Sequence, residues 1–84
     1  MNNKVLVILD TDQYHVARMA ETLKDRKDLT FEVYSFTDTD KFISFARENE
    51  IECLLINELL YNDVVREINI PHVFILNESG VENG

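Results

Sequence analysis

Apolar positions along the chain form four strand-like runs. Residues 4–9 and 52–57 are nearly continuous apolar segments, which is typical of strands buried on both faces of a parallel sheet. Residues 31–36 alternate more between apolar and polar side chains, which favours an edge strand. Residues 71–76 form a further apolar run with Pro71 at its first position, where a missing N–H costs little. The pattern therefore predicts four strands.

The segments between these strands have apolar side chains at helical spacing. The predicted helices are residues 13–26, 41–49 and 59–68. Asp12 or Thr11 is the expected cap of the first helix, and Asp38 that of the second. Connections of this length join parallel strands, and right-handed crossovers place helices on both faces of the sheet. We therefore predict an α/β fold with flavodoxin-like winding and the strand order 2-1-3-4.

Length and charge narrow the class of protein. The 84 residues predict one domain, residues 1–77, followed by a polar tail, residues 78–84. The net charge of −8 opposes binding to nucleic acid and to anionic lipid, so we expect neither as a partner. No apolar run approaches the ~20 residues that cross a membrane, and the N-terminus lacks the features of a signal peptide. These features predict a cytoplasmic protein.

Cysteine and glycine usage excludes several kinds of site. The single cysteine, Cys53, rules out an internal disulfide and a cysteine-based metal site. Its place in an apolar strand predicts a small buried hydrophobe. The two glycines, Gly80 and Gly84, both lie in the tail, whereas nucleotide-binding loops need glycines between a strand and a helix. A nucleotide-binding Rossmann domain is therefore not expected.

Polar residues follow the two central strands of the predicted sheet. Asp10 and Asp12 come after the first strand, and Asn57 and Glu58 after the third. In a doubly wound sheet the functional site lies outside the carboxyl ends of the central strands. Acid and amide oxygens at this rim are the ligands that a hard cation such as Mg²⁺ prefers. For Asp12, helix capping is the favoured role, and His15 is expected on the surface near this acidic rim.

Three segments resemble strands of response-regulator receiver domains. Residues 6–12 resemble their first strand and acidic turn, residues 52–57 the strand that ends in the phosphorylated aspartate, and residues 71–77 their fourth strand. The resemblance places Asn57 at the phosphoacceptor position. An amide is not a nucleophilic carboxylate, so it cannot form an acyl phosphate.

Other positions also depart from the receiver pattern. Thr11 stands where the second acid of the family is expected, and the family's hydroxyl position falls on Leu76 or Asn77. No lysine or arginine follows Arg66, and no fifth strand is predicted. The resemblance therefore implies a degenerate receiver, a pseudo-receiver, with no enzymatic activity and no cofactor.

Degenerate receivers of this kind are similar to those at the N-termini of MinD/ParA-type ATPases of the pilus-assembly class. That resemblance implies a regulatory or protein-interaction module, cut before its fifth strand, whose partners are its own downstream domain or other proteins. The alternative is a small-ligand or divalent-metal-binding α/β domain. Its site would be the rim formed by Asp10, Asp12 and Glu58.

The last predicted strand lies at an edge of the sheet in the order 2-1-3-4. An exposed edge with apolar, uncharged side chains invites another strand. We therefore expect an interface, and self-association of the chain, at His72, Val73, Phe74, Ile75 and Leu76.

Overall fold

A computed structural model describes residues 4–26 and 30–76. Strands and helices alternate along this part of the chain. In chain order the elements are β1 (Lys4–Leu9), α1 (Gln13–Lys24), β2 (Phe31–Phe36), α2 (Thr39–Glu48), β3 (Cys53–Asn57), α3 (Glu58–Val65) and β4 (His72–Leu76). Every strand and helix expected from the sequence is present, and the predicted tail at 78–84 lies outside the described residues.

The sheet is all parallel, with the order β2-β1-β3-β4. This confirms the predicted flavodoxin-like winding, in which the chain reverses direction across the sheet between β1 and β3. The two most apolar strands, β1 and β3, are the central ones, and β2 and β4 are the edges. Burial on both faces is the reason that β1 and β3 are continuous apolar runs.

Helices cover both faces of the sheet and create two apolar cores. On one face, α2 and α3 pack over Val7, Leu9, Leu54 and Ile56, with Phe42 fully buried between helix and sheet. On the other face, α1 packs mainly over β1 and β2. Both faces of the central strands are therefore packed against helices. Each Å² of apolar surface removed from water in this way stabilises the fold by roughly 25 cal/mol.

Each helix begins at a polar cap at the end of a preceding strand or turn. The carboxylate of Asp12 accepts hydrogen bonds from the N–H groups of Tyr14 and His15, so Asp12 rather than Thr11 is the cap of α1. Asp38 caps α2, as predicted. These short polar side chains satisfy N–H groups that have no partner inside the helix.

The helix ends differ from the predicted ones by a few residues. Helix α1 ends at Lys24 instead of residue 26, and α2 begins at Thr39 instead of residue 41. Helix α3 runs from Glu58 to Val65 instead of 59–68. It starts directly after β3 because Asn57 is both the last residue of the strand and the cap of the helix.

Candidate functional site

Asp10 and Asn57 are buried together at the carboxyl ends of β1 and β3. Their exposed fractions are 3% and 2%, and they are the buried polar residues of the described part of the chain. Asp10 follows directly after β1, and its N–H donates to the carbonyl of Phe36 on β2. Asn57 ends β3, the neighbouring strand. The two side chains therefore meet at the rim where a doubly wound fold places its site.

Three donors hold the carboxylate of Asp10. The side-chain amide of Asn57 donates from Nδ2 to Oδ1 of Asp10 at 3.2 Å. The backbone N–H of Asp12 donates to the same oxygen, also at 3.2 Å. The ring of His15 lies with Nδ1 3.0 Å from Oδ2 of Asp10. A buried carboxylate is costly without such partners, so these contacts are what allow Asp10 to be placed in the interior.

The orientation of the Asn57 amide follows from its two neighbours. Its Oδ1 accepts the backbone N–H of Leu59 at 2.7 Å, which caps α3. Its NH₂ group faces the carboxylate of Asp10, which can only accept. A flipped amide would lose both contacts, so the network specifies the orientation. The amide oxygen of Asn57 therefore caps α3, and its nitrogen contacts Asp10.

His15 is the residue of this network whose contact the sequence did not reveal. It was expected on the surface near the rim, and its side chain is indeed about half exposed. The sequence does not show that it is aimed at a buried carboxylate five residues earlier. The spacing of the two residues could have indicated this contact. Asp10 follows β1 and His15 lies in the first turn of α1, so both lie at the same end of the sheet. The hydrogen bond to Asp10 requires a proton on Nδ1.

The other two acids of the predicted rim have different surroundings. The Asp12 side chain lies over the start of α1 and is used in capping. Glu58 is exposed in the first turn of α3, where a negative charge is favoured by the helix dipole. The structure therefore brings Asp10 and Asn57 into contact, but it does not gather Asp10, Asp12 and Glu58 into one cluster.

The side chains present do not suit the Mg²⁺ that receiver domains would imply. A cation needs oxygen ligands with free lone pairs, whereas Asp10 faces an NH₂ group, a backbone N–H and an imidazole. The amide of Asn57 turns its donor toward Asp10 and its oxygen toward Leu59. Within residues 4–26 and 30–76, no group of three or more histidine, cysteine or acidic side chains could hold a metal ion.

Two further positions that the sequence singled out, Leu76 and Cys53, lie on β4 and β3. Leu76 ends β4 beside Asn57 and has no hydroxyl, and Asn77 lies outside the described residues. Cys53 is buried in β3, as predicted, and burial raises the pKa of its thiol above the ordinary value, with a smaller contribution from Glu52. A thiol of this kind is a poor nucleophile.

The predicted interface strand forms an edge of the sheet, as expected. Val73 and Leu76 are half-buried, and His72, Phe74 and Ile75 are exposed. His72 lies with Nε2 3.6 Å from Oε2 of Glu52 on the partly exposed surface.

Comparison of the sequence with protein-family models, with curated proteins and with solved structures found no match. The likeness to receiver domains thus depends on the segments quoted above. Among the described helices, none has the length and apolar character that crossing a membrane would demand.

Proposed function

We propose that this chain is a non-catalytic regulatory or protein-interaction module, built on a receiver-like scaffold that does not accept phosphate. One observation carries the proposal. At the end of β3, where a receiver has its acceptor, the Asn57 amide is locked between Asp10 and the start of α3. The site is closed by its own hydrogen bonds.

The network also supports the absence of a metal requirement. In a metal-dependent site the cation balances the buried carboxylate. In this chain the donors around Asp10 come from Asn57, Asp12 and His15. The protein's own groups take the place that a cation would fill, which favours the module over the alternative of a metal-binding domain at the Asp10, Asp12 and Glu58 rim.

The proposal includes protein partners, the parent protein's own downstream part among them, and a cytoplasmic location. Both come from the resemblance and from the composition of the sequence. An acidic chain with 16 acids against 8 bases suits neither nucleic acid nor anionic lipid as a partner.

The test is intact-mass spectrometry after incubation with acetyl phosphate and Mg²⁺. We expect the mass to remain unchanged. A phospho-adduct that is lost in the Asn57→Ala or the Asp10→Ala variant would refute the proposal. A titration with Mg²⁺ followed by NMR completes the test, and shifts confined to residues 10–13 and 57–59 at sub-millimolar metal would favour the metal-binding alternative instead.

A further inference from the structure

Strand β4 exposes large apolar side chains on both faces of the sheet. Phe74 is 56% exposed and Ile75 is 50% exposed. The register pairs Phe74 with Leu55 and Ile75 with Ile56, so Phe74 lies on the α1 face and Ile75 on the α2 and α3 face. Within residues 4–26 and 30–76, β3 pairs with one edge of β4 and no strand pairs with the other. Apolar side chains on both faces of β4 and the backbone groups of its outer edge are therefore open to a further strand.

The opposite edge of the sheet is different. Strand β2 exposes Glu32, Tyr34 and Ser35, and the Tyr34 hydroxyl donates to the Glu32 carboxylate at 3.1 Å. Charged side chains on an edge strand oppose pairing with another chain. From Val73 to Leu76, β4 carries no charged or polar side chain. The edge of β4 therefore lacks the protection that the edge of β2 has.

The apolar surface of β4 continues onto α3. A groove of about 360 Å³ lies between the end of α3 and β4. Its lining combines the apolar side chains of Tyr61, Val65, Ile70 and Val73 with the polar ones of Arg66, Glu67 and Asn69, and Val65 is 43% exposed. This groove lies on the same face as Ile75, so an incoming strand would meet both apolar and polar side chains beyond β4 itself.

We propose that the occupant of this edge is β4 of a second copy of the chain, paired antiparallel about a two-fold axis. Charge limits which surface of a second copy can approach this edge. A copy carries a net charge of −8, so most of its surface repels another copy, but the β4 edge holds no acid. Residues 77–84 contain one apolar side chain, Val81, and two acids, so they match an apolar edge poorly.

The antiparallel arrangement also fits the side chains and closes the assembly. Pairing centred on Phe74 sets His72 opposite Leu76 of the second copy, and Val73 opposite Ile75 of the second copy, so no like charges meet. The two sheets join into one of eight strands, within the usual range. A two-fold contact uses the same patch twice and stops at the dimer, whereas β4 pairing with β2 would continue into a filament.

The experiment is sedimentation equilibrium of the whole chain from about 1 µM to about 1 mM, the range of weak to moderate protein association. We expect the mass to rise from 9.8 kDa toward twice that value. In Phe74→Lys the dissociation constant should increase by at least about thirtyfold, because the two introduced charges meet across the axis. Ser35→Lys adds the same charge to the exposed edge of β2 and should leave the dissociation constant unchanged.

Amide hydrogen exchange of the wild-type chain gives a readout that needs no variant. Protection of the amides in β4 should increase with protein concentration, and protection in β2 should not. A monomer at the highest concentration, equal dimerisation of Phe74→Lys and wild type, or loss of dimer in Ser35→Lys alone would each overturn the proposal. The inference does not rest on the proposed regulatory function, so either can fail without the other.

Discussion

Replacing Asn57 by aspartate tests the closed network most directly. Asn57→Asp changes shape very little, but it exchanges the donor that lies 3.2 Å from Oδ1 of Asp10 for a second carboxylate oxygen. Both positions are almost completely buried. The variant therefore places two acids in contact where water cannot separate them, and it removes one hydrogen bond from Asp10.

The magnitude follows from the distance. Two charges 3.2 Å apart at an effective dielectric constant of about 20 repel by about 5 kcal/mol. The folded variant can avoid this by protonating one carboxyl, which costs about 4 kcal/mol at pH 7 for a reference pKa of about 3.9. We expect the free energy of unfolding to fall by about 3–4 kcal/mol at pH 7. A chain of 84 residues has about 4–13 kcal/mol in total, so the loss is large.

The loss should depend on pH in a defined direction. The neighbouring charge of Asp10 raises the pKa of the introduced carboxyl in the folded state above its value in the unfolded state. The folded variant then binds more protons, so the penalty is absent below about pH 4 and grows as the pH rises through 5 and 6 toward the raised pKa. Urea unfolding followed by circular dichroism at several pH values measures this difference from wild type.

Asn62→Asp is the matched control, because Asn62 is exposed on α3 and the chemical change is the same. Glu58 and Arg66 lie one turn before and after it, so their effects on the new charge nearly cancel. We expect its stability to change by less than about 0.5 kcal/mol. If Asn57→Asp is no less stable than Asn62→Asp at pH 7, the reasoning about the buried pair is wrong.

Mg²⁺ gives a second measurement on the same variant. Two carboxylates at the ends of β1 and β3 form the kind of oxygen site that the wild-type amide prevents. At a concentration ten times its dissociation constant, Mg²⁺ should raise the stability of Asn57→Asp by about 1.4 kcal/mol and leave the wild type unchanged. Equal effects on both chains would contradict the interpretation of Asn57 as the residue that closes the site to cations.

Three further outcomes are expected. His15→Ala removes a donor to the buried carboxylate and should cost about 1–2 kcal/mol in urea unfolding, whereas His72→Ala, whose 3.6 Å contact is exposed, should cost under about 0.5 kcal/mol. Asp12→Ala removes the cap of α1 and should lower the free energy of unfolding by about 1 kcal/mol. Asp40→Ala, which removes a first-turn acid of α2 that is not its cap, should lower it less, and equal losses would argue against capping by Asp12. Burial raises the pKa of the Cys53 thiol, so this thiol should react slowly with an aromatic disulfide reagent at pH 8 and rapidly in denaturant. Fast reaction of the folded chain would contradict its burial.

Much of the fold could be predicted because the apolar pattern is unambiguous. The continuous runs of β1 and β3 and the mixed pattern of β2 identify central and edge strands. The helix-length connections between successive strands favour parallel pairing. Helix ends were less accurate, because local hydrogen bonds decide them. Helix α3 begins at Glu58 since Asn57 turns its oxygen to the N–H of Leu59, and no periodicity in the sequence records that contact.

The candidate site divides in the same way. The sequence by itself determined that an amide stands at the end of β3 and that Asp10 and Asp12 follow β1. It did not determine that Asp12 rather than Thr11 caps α1, or that the ring of His15 contacts the carboxylate of Asp10. Those contacts depend on the orientation of α1 relative to the sheet. That orientation is set by the packing of α1 on β1, through the cluster of Val16, Ala20, Leu6 and Ile8.

The identity of residue 57 excludes one reaction, and the tertiary structure determines the surroundings of Asp10. A chain without an acid at position 57 cannot form an acyl phosphate there, whatever its fold. Asp10 and Asn57 are 47 residues apart in the sequence, and the pairing of β1 with β3 brings them together. This contact decides whether the Asp10 carboxylate is open to a ligand or already hydrogen-bonded in the interior. That pairing brings a donor to a buried carboxylate. An unpaired charge in the interior would cost several kcal/mol, which is a large fraction of the stability of a chain this size.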